Sequence, residues 1–328
     1  MERNYKAILI IIYIIFVFSI ISIPTLVIFS EFAHFSKINK SLTYKYRTEA
    51  PPINKELNLV TDVGIIDIKY VPPSVDYLVK IDVDIEMAGP NLRSKSYLDF
   101  FSIGWENLTS PLNFTMVLIF DKLVEFSNLH IANIKINIQL RADIVFSINA
   151  FVSEGAINFS ALGITVSNLL LNVINGDIIY EFINCEVGGN ISGTVNDGNA
   201  TLITKNNKYT HNSLLTLKNK VGYILFEIIQ YSEMGANITG MGITKTGNIT
   251  VIYKDFSPDI GARFVFYNAT SHGHEPENSW DGFDRDIIPP DIGQYYNSTD
   301  YPTQNNYNFS FFKWDGGNYL WDLYSIPT

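Results

Sequence analysis

The residues best suited to metal chemistry lie between His272 and Asp286. Imidazole and carboxylate groups at close spacing could bind zinc or another divalent ion. The spacing matches neither a helical histidine pair nor a calcium loop with its terminal glutamate. We favour a solvated acidic loop and predict no metal ion and no cofactor. The groups concerned are His272, His274, Glu275, Glu277, Asp281, Asp284 and Asp286.

Carboxylates clustered on one face of a repetitive β-scaffold could instead cleave polysaccharide. The acidic residues of the central region are Asp177, Glu181, Glu186, Asp197, Glu227 and Glu233. Asp177 and Asp197 would lie on neighbouring turns of a repeat at best. The sequence contains no Gly-x-Ser-x-Gly motif and no phosphate-binding loop. We therefore predict that the protein is not an enzyme and keep a polysaccharide-acting enzyme as the alternative.

Aromatic residues crowd the C-terminal part of the chain. Exposed aromatic platforms bind sugars and protein partners. Aromatic side chains buried in a cap at the end of a β-stack would give the same sequence, and we favour that interpretation. The residues are Trp280, Tyr295, Tyr296, Tyr301, Tyr307, Phe309, Trp314, Tyr319, Trp321 and Tyr324.

Asparagine supplies the most frequent motif. Eleven Asn-x-Ser/Thr sequons occur in the chain, whereas its 32 Asn and 44 Ser plus Thr predict about 4 by random placement. Such an excess is expected on an exported, glycosylated surface. Asn248 follows a glycine and is expected to be a turn residue first. Leaving Asn39 aside, the glycosylation candidates are Asn107, Asn113, Asn158, Asn190, Asn199, Asn237, Asn248, Asn268, Asn297 and Asn308.

Composition restricts the class of protein further. The net charge of −10, without a basic stripe, argues against nucleic-acid binding. Hydrophobic residues make up 47% and charged residues 17%, which excludes a disordered chain. Abundant isoleucine, tyrosine, phenylalanine and asparagine favour strands and turns over helices. Cys185, the single cysteine, can form no internal disulfide and is predicted to be a buried thiol.

An uncharged segment near the N-terminus predicts a membrane anchor. Residues 7–29 carry no charge and would form a helix of about 34 Å, enough to cross a bilayer. A cleaved signal peptide is the alternative, but no small-x-small cleavage site follows. The lysine and arginine residues that flank the segment slightly favour a cytosolic C-terminal domain, whereas the sequons favour an extracellular C-terminal domain. We predict a transmembrane helix over residues 7–30 that contacts the lipid bilayer, with the N-terminus cytoplasmic and the C-terminal domain extracellular.

A glycine followed by a short alternating run recurs after residue 150. The runs GAINFSA, GDIIYEF, GNATLIT, GYILFEI and GNITVIY are spaced by 21, 22, 24 and 25 residues. A period in the twenties, with strands and glycine turns, indicates a β-solenoid. An antiparallel β-sandwich with evenly spaced hairpins is the alternative. The glycines, each expected at a coil corner with positive φ, are Gly155, Gly176, Gly198, Gly222 and Gly247.

The glycine-led runs resemble a known group of surface proteins. Their GNIT, GNIS and TGNI elements are similar to the putative-adhesin β-solenoid domains of membrane-anchored bacterial and archaeal proteins, over residues 155–255. This resemblance implies a surface-exposed module of unknown function without catalytic residues. Tyr223, after Gly222, and the aromatic tail depart from the pattern.

Together these observations predict an all-β protein with an N-terminal membrane helix. The segments would be a cytoplasmic N-terminus (1–6), the helix (7–30), a stalk (31–56), a strand-rich part (57–150), the solenoid-like part (151–270) and a polar loop with an aromatic cap (271–328). Its expected function is non-catalytic binding, adhesion or envelope structure at the cell surface, with a glycan or protein partner. An accessory subunit of a membrane complex is a further alternative.

Overall fold

The computed structural model describes residues 35–47, 54–90, 92–109, 113–122, 131–257, 260–267, 279–281, 283–287, 293–298, 301–302, 305–313 and 319–325. Nearly all of them are in strands, as the alternating apolar pattern predicts. The elements are β1 (Phe35–Tyr46), β2 (Asn54–Val71), β3 (Val79–Pro90), a 3₁₀ helix (Tyr97–Asp99), β4 (Phe101–Thr109), β5 (Asn113–Lys122), β6 (Ile131–Arg141), β7 (Ser147–Leu162), β8 (Thr165–Val166), β9 (Leu169–Ile183), β10 (Glu186–Val187), β11 (Ile191–Asp197), β12 (Ala200–Lys205), β13 (Lys208–Tyr209), β14 (Ser213–Gln230), β15 (Ile238–Asp255), β16 (Ile260–Tyr267), β17 (Ser279–Asp281), β18 (Phe283–Ile287), β19 (Gly293–Ser298), β20 (Asn305–Lys313) and β21 (Tyr319–Ser325).

Contacts within the chain define two compact units. The smaller comprises Met1–Ser41, Asp84–Phe101 and Leu123–Ile134. In this unit Ser41 Oγ donates a hydrogen bond to Asp84 at 2.6 Å. The 3₁₀ helix is capped by Ser96, whose side chain accepts from the Leu98 backbone N–H.

The larger unit, Leu42–Val83, Ser102–Lys122 and Lys135–Thr328, contains a stack of parallel β-coils. Strand β7 pairs with β9, β9 with β11 and β12, both of these with β14, and β14 with β15. Every one of these pairings is parallel and in register. The pairing is that of a β-solenoid, and it excludes the antiparallel sandwich for these coils.

Each coil has two long sides and one short side. The glycine corner separates the long sides, for example within β9 at Gly176. The short sides are β8, β10 and β13, which pair in parallel as a separate three-stranded sheet. The coil interior is apolar because alternate residues point inward. Ile148, Leu169, Ile191 and Leu215 occupy one such column and are at most 2% exposed. Burial of each such side chain stabilises the fold by about 1.5–3 kcal/mol.

The order of coils in the stack departs from chain order at both ends. Strand β2 pairs with β7 on one side and with β5 and β6 on the other, although β5 and β6 follow β2 in the sequence. At the other end β20 and β21 pair with β15, and β20 pairs in turn with β16. Strand β19 then pairs antiparallel with both β16 and β18. This antiparallel hairpin covers the edge of the parallel stack, where the strands of another chain could otherwise pair.

Apolar and polar residues alternate strictly over residues 134–148, and a single strand of that length would be about 50 Å long, which predicts that it bends or splits. The alternating run over residues 134–148 is interrupted, since β6 ends at Arg141 and β7 begins at Ser147. A turn over residues 142–146 separates the two strands, and both then pair with β2. The segment 31–56, predicted as a stalk, contains β1 and the start of β2.

The prediction of an N-terminal membrane helix requires correction. Residues 7–30 lie outside the described residues, and no helix within the described part of the chain is long and apolar enough to cross a membrane. The described elements are strands and one 3₁₀ turn of three residues, in keeping with a strand-forming composition. The described residues are therefore all-β, and the predicted helix has no counterpart among them. The single-pass location with a cytoplasmic N-terminus, which depended on that helix, is withdrawn with it.

Candidate functional site

The five turn glycines form one column that is structural. Their φ angles lie between 127° and 147°, a range that side-chain-bearing residues rarely adopt. The glycines also stack directly on one another. A Cβ atom at Gly176 would lie 1.6 Å from the Gly155 carbonyl oxygen, and one at Gly247 would lie 1.7 Å from the Gly222 oxygen. Gly64 belongs to the same column, because it pairs with Gly155. The sequence pattern missed Gly64 because 91 residues separate the two.

Three of the predicted glycosylation asparagines bond successive coils together. The Asn190 backbone N–H donates to Asn168 Oδ1 at 2.9 Å, and Asn190 Oδ1 accepts from Leu214 N–H at 2.9 Å. Asn237 continues this ladder farther along the stack, accepting from the Asn306 N–H at 2.7 Å. At the glycine corner, Asn199 Oδ1 accepts from the Tyr223 N–H at 3.2 Å. These side chains satisfy backbone donors that turns leave without a strand partner.

The other candidate asparagines have separate environments. Asn158 donates to Asp67 Oδ1 at 2.7 Å, Asn297 donates to the Tyr295 hydroxyl at 3.0 Å, and Asn308 accepts from the Tyr301 hydroxyl at 3.0 Å. Asn248 is exposed at its coil corner. Asn107 and Asn113 lie in β4 and β5 without described side chains, and Asn268 lies outside the described residues. Glycosylation at all ten positions stays a prediction.

The acidic residues of the coils are dispersed among structural partners. Asp177 Oδ1 accepts from the Asn199 N–H at 2.8 Å. Glu181 accepts from Ser160 at 3.2 Å, and Glu227 forms a salt bridge with Lys205 at 3.0 Å. Within the described residues no group of three or more His, Cys, Asp or Glu could hold a metal ion. Most of the His272–Asp286 segment lies outside that part of the chain.

A groove of about 320 Å³ borders the asparagine ladder. It lies beside Asn149, Asn168, Asn190 and Glu56, and Leu170 contributes an apolar wall that is 42% exposed. The side-chain oxygens of Asn168 and Asn190 are already engaged in coil-to-coil bonds.

The C-terminal aromatic residues with described side chains are mostly buried. Tyr307 and Phe309 on β20, and Tyr319 and Trp321 on β21, are at most 6% exposed. Phe309 packs edge-on against Phe226 at 5.5 Å. The facing positions in β15 are Gly240 and Gly242, because a side chain there would meet the rings of Phe309 and Phe311. The aromatic-rich tail therefore closes one end of the stack as a packed core.

A different set of aromatic side chains is exposed at the corner that follows the second long side of each coil. Tyr231 is 58% exposed and Phe256 is 37% exposed. Their ring centroids are 5.0 Å apart and their planes differ by 10°. Tyr324 adds a third ring, 5.5 Å from Phe256. The sequence contains a signal for this pair of rings, because Tyr231 and Phe256 each lie nine residues after a turn glycine, Gly222 and Gly247.

On the preceding coils, polar side chains lie at the same corner as Tyr231 and Phe256. Asn184 and Asn206 occupy this corner with φ of 51° each, a conformation that asparagine tolerates. Asn206 Nδ2 donates to Asn184 Oδ1 at 3.0 Å, and Ser232 Oγ donates to Asn206 Oδ1 at 2.8 Å. We refer to Asn184, Asn206, Tyr231, Ser232, Phe256 and Tyr324 together as the amide–aromatic strip.

Buried polar groups beneath the strip fix its backbone. Gln230, which is 1% exposed, donates from Nε2 to the carbonyl oxygens of Ser232 at 2.7 Å and Asn207 at 3.0 Å. Asp255, which is fully buried, accepts from the Ser257 N–H at 2.8 Å. Burial, followed by the Asp255 charge, raises the pKa of Tyr253 well above its ordinary value, so the phenol stays neutral. These bonds hold the backbone on either side of Tyr231 and Phe256, so the places from which both rings project are fixed before any ligand binds.

The fold and the strip define a parallel β-solenoid that presents ordered side-chain columns at its corners. The chain is similar in structure to a putative cell adhesion protein from Clostridium sporogenes, with 14% identity, a TM-score of 0.40, and coverage of 88% of this chain and 100% of that one. It is also similar to a putative adhesin from Bacteroides fragilis, with 12% identity, a TM-score of 0.31, and coverage of 87% and 98%. A putative adhesin from Parabacteroides merdae matches at 14% identity and a TM-score of 0.22, over 66% of this chain and 89% of that one.

These structures carry the same description as the group that the glycine-led runs resemble. The chain matches no protein-family model and no curated protein.

Proposed function

We propose that this chain is a non-catalytic adhesion module that binds its ligand through side chains at the corners of the coil stack. The observation that carries the proposal is the amide–aromatic strip. Large apolar side chains are ordinarily buried, and here the rings of Tyr231 and Phe256 are exposed and stacked, with the half-buried Tyr324 beside Phe256. Exposed aromatic side chains held in fixed positions are characteristic of binding surfaces.

The construction of the stack supports an adhesive role. Successive coils are joined by parallel backbone pairing, by the glycine column and by the asparagine ladder. A scaffold in which each coil contacts its neighbours along its whole length resists local opening. A binding strip on such a scaffold keeps its shape when its ligand pulls on it.

Retention under flow tests this proposal. Beads coated with the full chain would be washed over surfaces of mucin, of peptidoglycan and of denatured collagen. We expect retention on at least one surface, and we expect it to fall in a Tyr231→Ala/Phe256→Ala double variant. A Leu214→Ala variant, which removes an apolar side chain that is 40% exposed at another corner, serves as the matched control. Beads that are released from all three surfaces, or that the double variant holds as well as the parent, would contradict the proposal.

A further inference from the structure

We infer that the open ring face of Tyr231, together with the amide side chains beside it, is a binding site for a neutral saccharide. The inference rests on the proposed adhesive function and names its ligand class. It is argued from the ring geometry, from the polar groups around the ring and from the small size of the exposed apolar surface.

The ring geometry leaves one face of Tyr231 available. Two rings with nearly parallel planes and centroids 5.0 Å apart must overlap face to face, since rings side by side in one plane cannot approach so closely. Phe256 lies on the next coil, because the preceding residues Gln230 and Asp255 are paired. It therefore covers the face of Tyr231 that points toward that coil. The opposite face looks toward the preceding coil and accounts for the 58% exposure.

A chain of hydrogen bonds runs from the residue that follows Tyr231 to the preceding coils. Ser232, adjacent to Tyr231, donates to Asn206, and Asn206 donates to Asn184. Each amide nitrogen carries two hydrogens, and the bond between the two amides uses only one hydrogen of Asn206. The oxygen of Ser232 also keeps its acceptor capacity. A ring face bordered by amide and hydroxyl groups complements a pyranose, whose C–H face is apolar and whose edge is lined by hydroxyls.

Charge favours a neutral ligand. Lys205, on the preceding coil, is paired with Glu227 at 3.0 Å. The exposed Lys208 of that coil is offset in charge by the exposed Glu233 that follows Ser232. Lys254, on the coil that carries Phe256, is paired with Asp322 at 3.3 Å. An anionic sugar or a phosphate would need cationic donors at the ring, and Lys205 and Lys254 already have partners. Amide groups bind sugar hydroxyls without that requirement.

The size of the exposed apolar surface favours a sugar over a folded protein partner. Stable protein–protein interfaces bury about 1,200–2,000 Å² in total, whereas the strip exposes one open ring face and the edges of two further rings. A single pyranose covers one ring face. Because buried bonds from Gln230 and Asp255 already order the backbone, little conformational entropy is lost when a sugar binds.

Calorimetric titration tests the inference. The full chain would be titrated with the soluble hexasaccharides of β-1,4-linked glucose, of β-1,4-linked N-acetylglucosamine and of β-1,4-linked mannose. We expect saturable binding of at least one probe. Tyr231→Ala should weaken it by about tenfold or more, because the ring face supplies most of the apolar contact. Tyr231→Phe, which keeps the ring, should remain close to the parent, and Leu214→Ala should leave affinity unchanged.

Two outcomes would overturn the saccharide inference. One is the absence of saturable binding for all three probes. The other is binding that Tyr231→Ala leaves intact while circular dichroism shows that the variant is folded. In the flow assay, periodate oxidation of the mucin provides a separate arm, since it cleaves vicinal diols of the glycans. Strip-dependent retention that survives oxidation, or that occurs on denatured collagen, would sink the saccharide assignment while leaving the adhesive function in place.

Discussion

Replacement of Gly198 by alanine tests whether the glycine column sets the spacing of the coils. The added Cβ would lie 1.9 Å from the Gly176 carbonyl oxygen and 2.6 Å from its carbon, at φ of 139°. Real Cβ contacts are essentially never shorter than 3.0 Å, so the two coils must separate by about 1 Å at a point where backbone bonds hold them together. One of these bonds, from the Ile178 N–H to the Asn199 carbonyl oxygen, is 2.9 Å long.

Two contributions give the magnitude. Forcing a side-chain-bearing residue into this conformation costs about 1–3 kcal/mol, and the overpacking costs about 1–3 kcal/mol more. The sum of about 2–6 kcal/mol corresponds to a fall in melting temperature of about 5–20 °C for a unit of this size. Gly163→Ala is the matched control. The φ of Gly163 is 63°, and a Cβ there would meet no atom within 4 Å. The only expected cost is therefore that of placing alanine in the left-handed region, about 1–2 kcal/mol.

Thermal unfolding followed by circular dichroism in the β-sheet region is the assay. We expect Gly198→Ala to melt well below Gly163→Ala, with both below the parent. Equal melting temperatures for the two variants would refute the argument, because they would mean that the coils accommodate a side chain at the corner without strain.

Three further predictions concern the interior. Asn207→Ala should lower the free energy of unfolding by about 2–4 kcal/mol, since it leaves a buried backbone N–H unpaired. Asn206→Gly, which keeps the left-handed backbone accessible and removes only surface hydrogen bonds, should cost less than about 1 kcal/mol. Urea titration of both variants separates the two, and equal losses would contradict the burial argument. Gly240→Ala should strongly lower the free energy of unfolding because its Cβ would lie 1.9 Å from Phe309 Cδ1. Adding Phe309→Leu should restore part of the lost stability. If the effects of the two substitutions on stability simply added in a double-mutant cycle, the contact would not be the cause. Burial raises the pKa of Tyr180 well above 10.0, so this phenol stays neutral in the folded state while the unfolded chain ionises. Stability is therefore fully present below pH 10.0 and is lost as pH rises above it; Tyr180→Phe should make alkaline unfolding less steep, which absorbance at the phenolate band together with circular dichroism would measure, and an unchanged profile would oppose this assignment.

The repeat period was readable from the sequence because its cause is local. A corner with positive φ and no room for a Cβ requires glycine whatever the rest of the chain does. Gly155 and Gly247 therefore marked the coils at 21 to 25 residue intervals, and their strands alternate because one face is buried. Those two facts predict the all-β class of this region and favour stacked coils, whereas the parallel pairing of the strands is decided by the structure. The buried state of Cys185, which is 2% exposed, was likewise foreseeable from residue type.

The order of coils could not be read in the same way. Gly64 carries the same local requirement, yet its partner Gly155 lies 91 residues away. Which coil stacks on which is decided by packing and by backbone pairing between distant segments. For this reason the insertion of β5 and β6 beyond β2, and of β20 between β15 and β16, left no trace in the period.

The same limit applies to the candidate site. The Asn-x-Ser/Thr pattern is identical whether an asparagine bonds a neighbouring coil, as Asn190 does, or a side chain two residues away in its own strand, as Asn297 does. Tyr253 and Phe256 are three residues apart, yet one is fully buried and the other is 37% exposed. The sequence by itself determined the coil, since the backbone demands of a turn are local. Only the tertiary structure decided which rings and amides meet at a corner, because those neighbours come from different coils and are brought together by stacking.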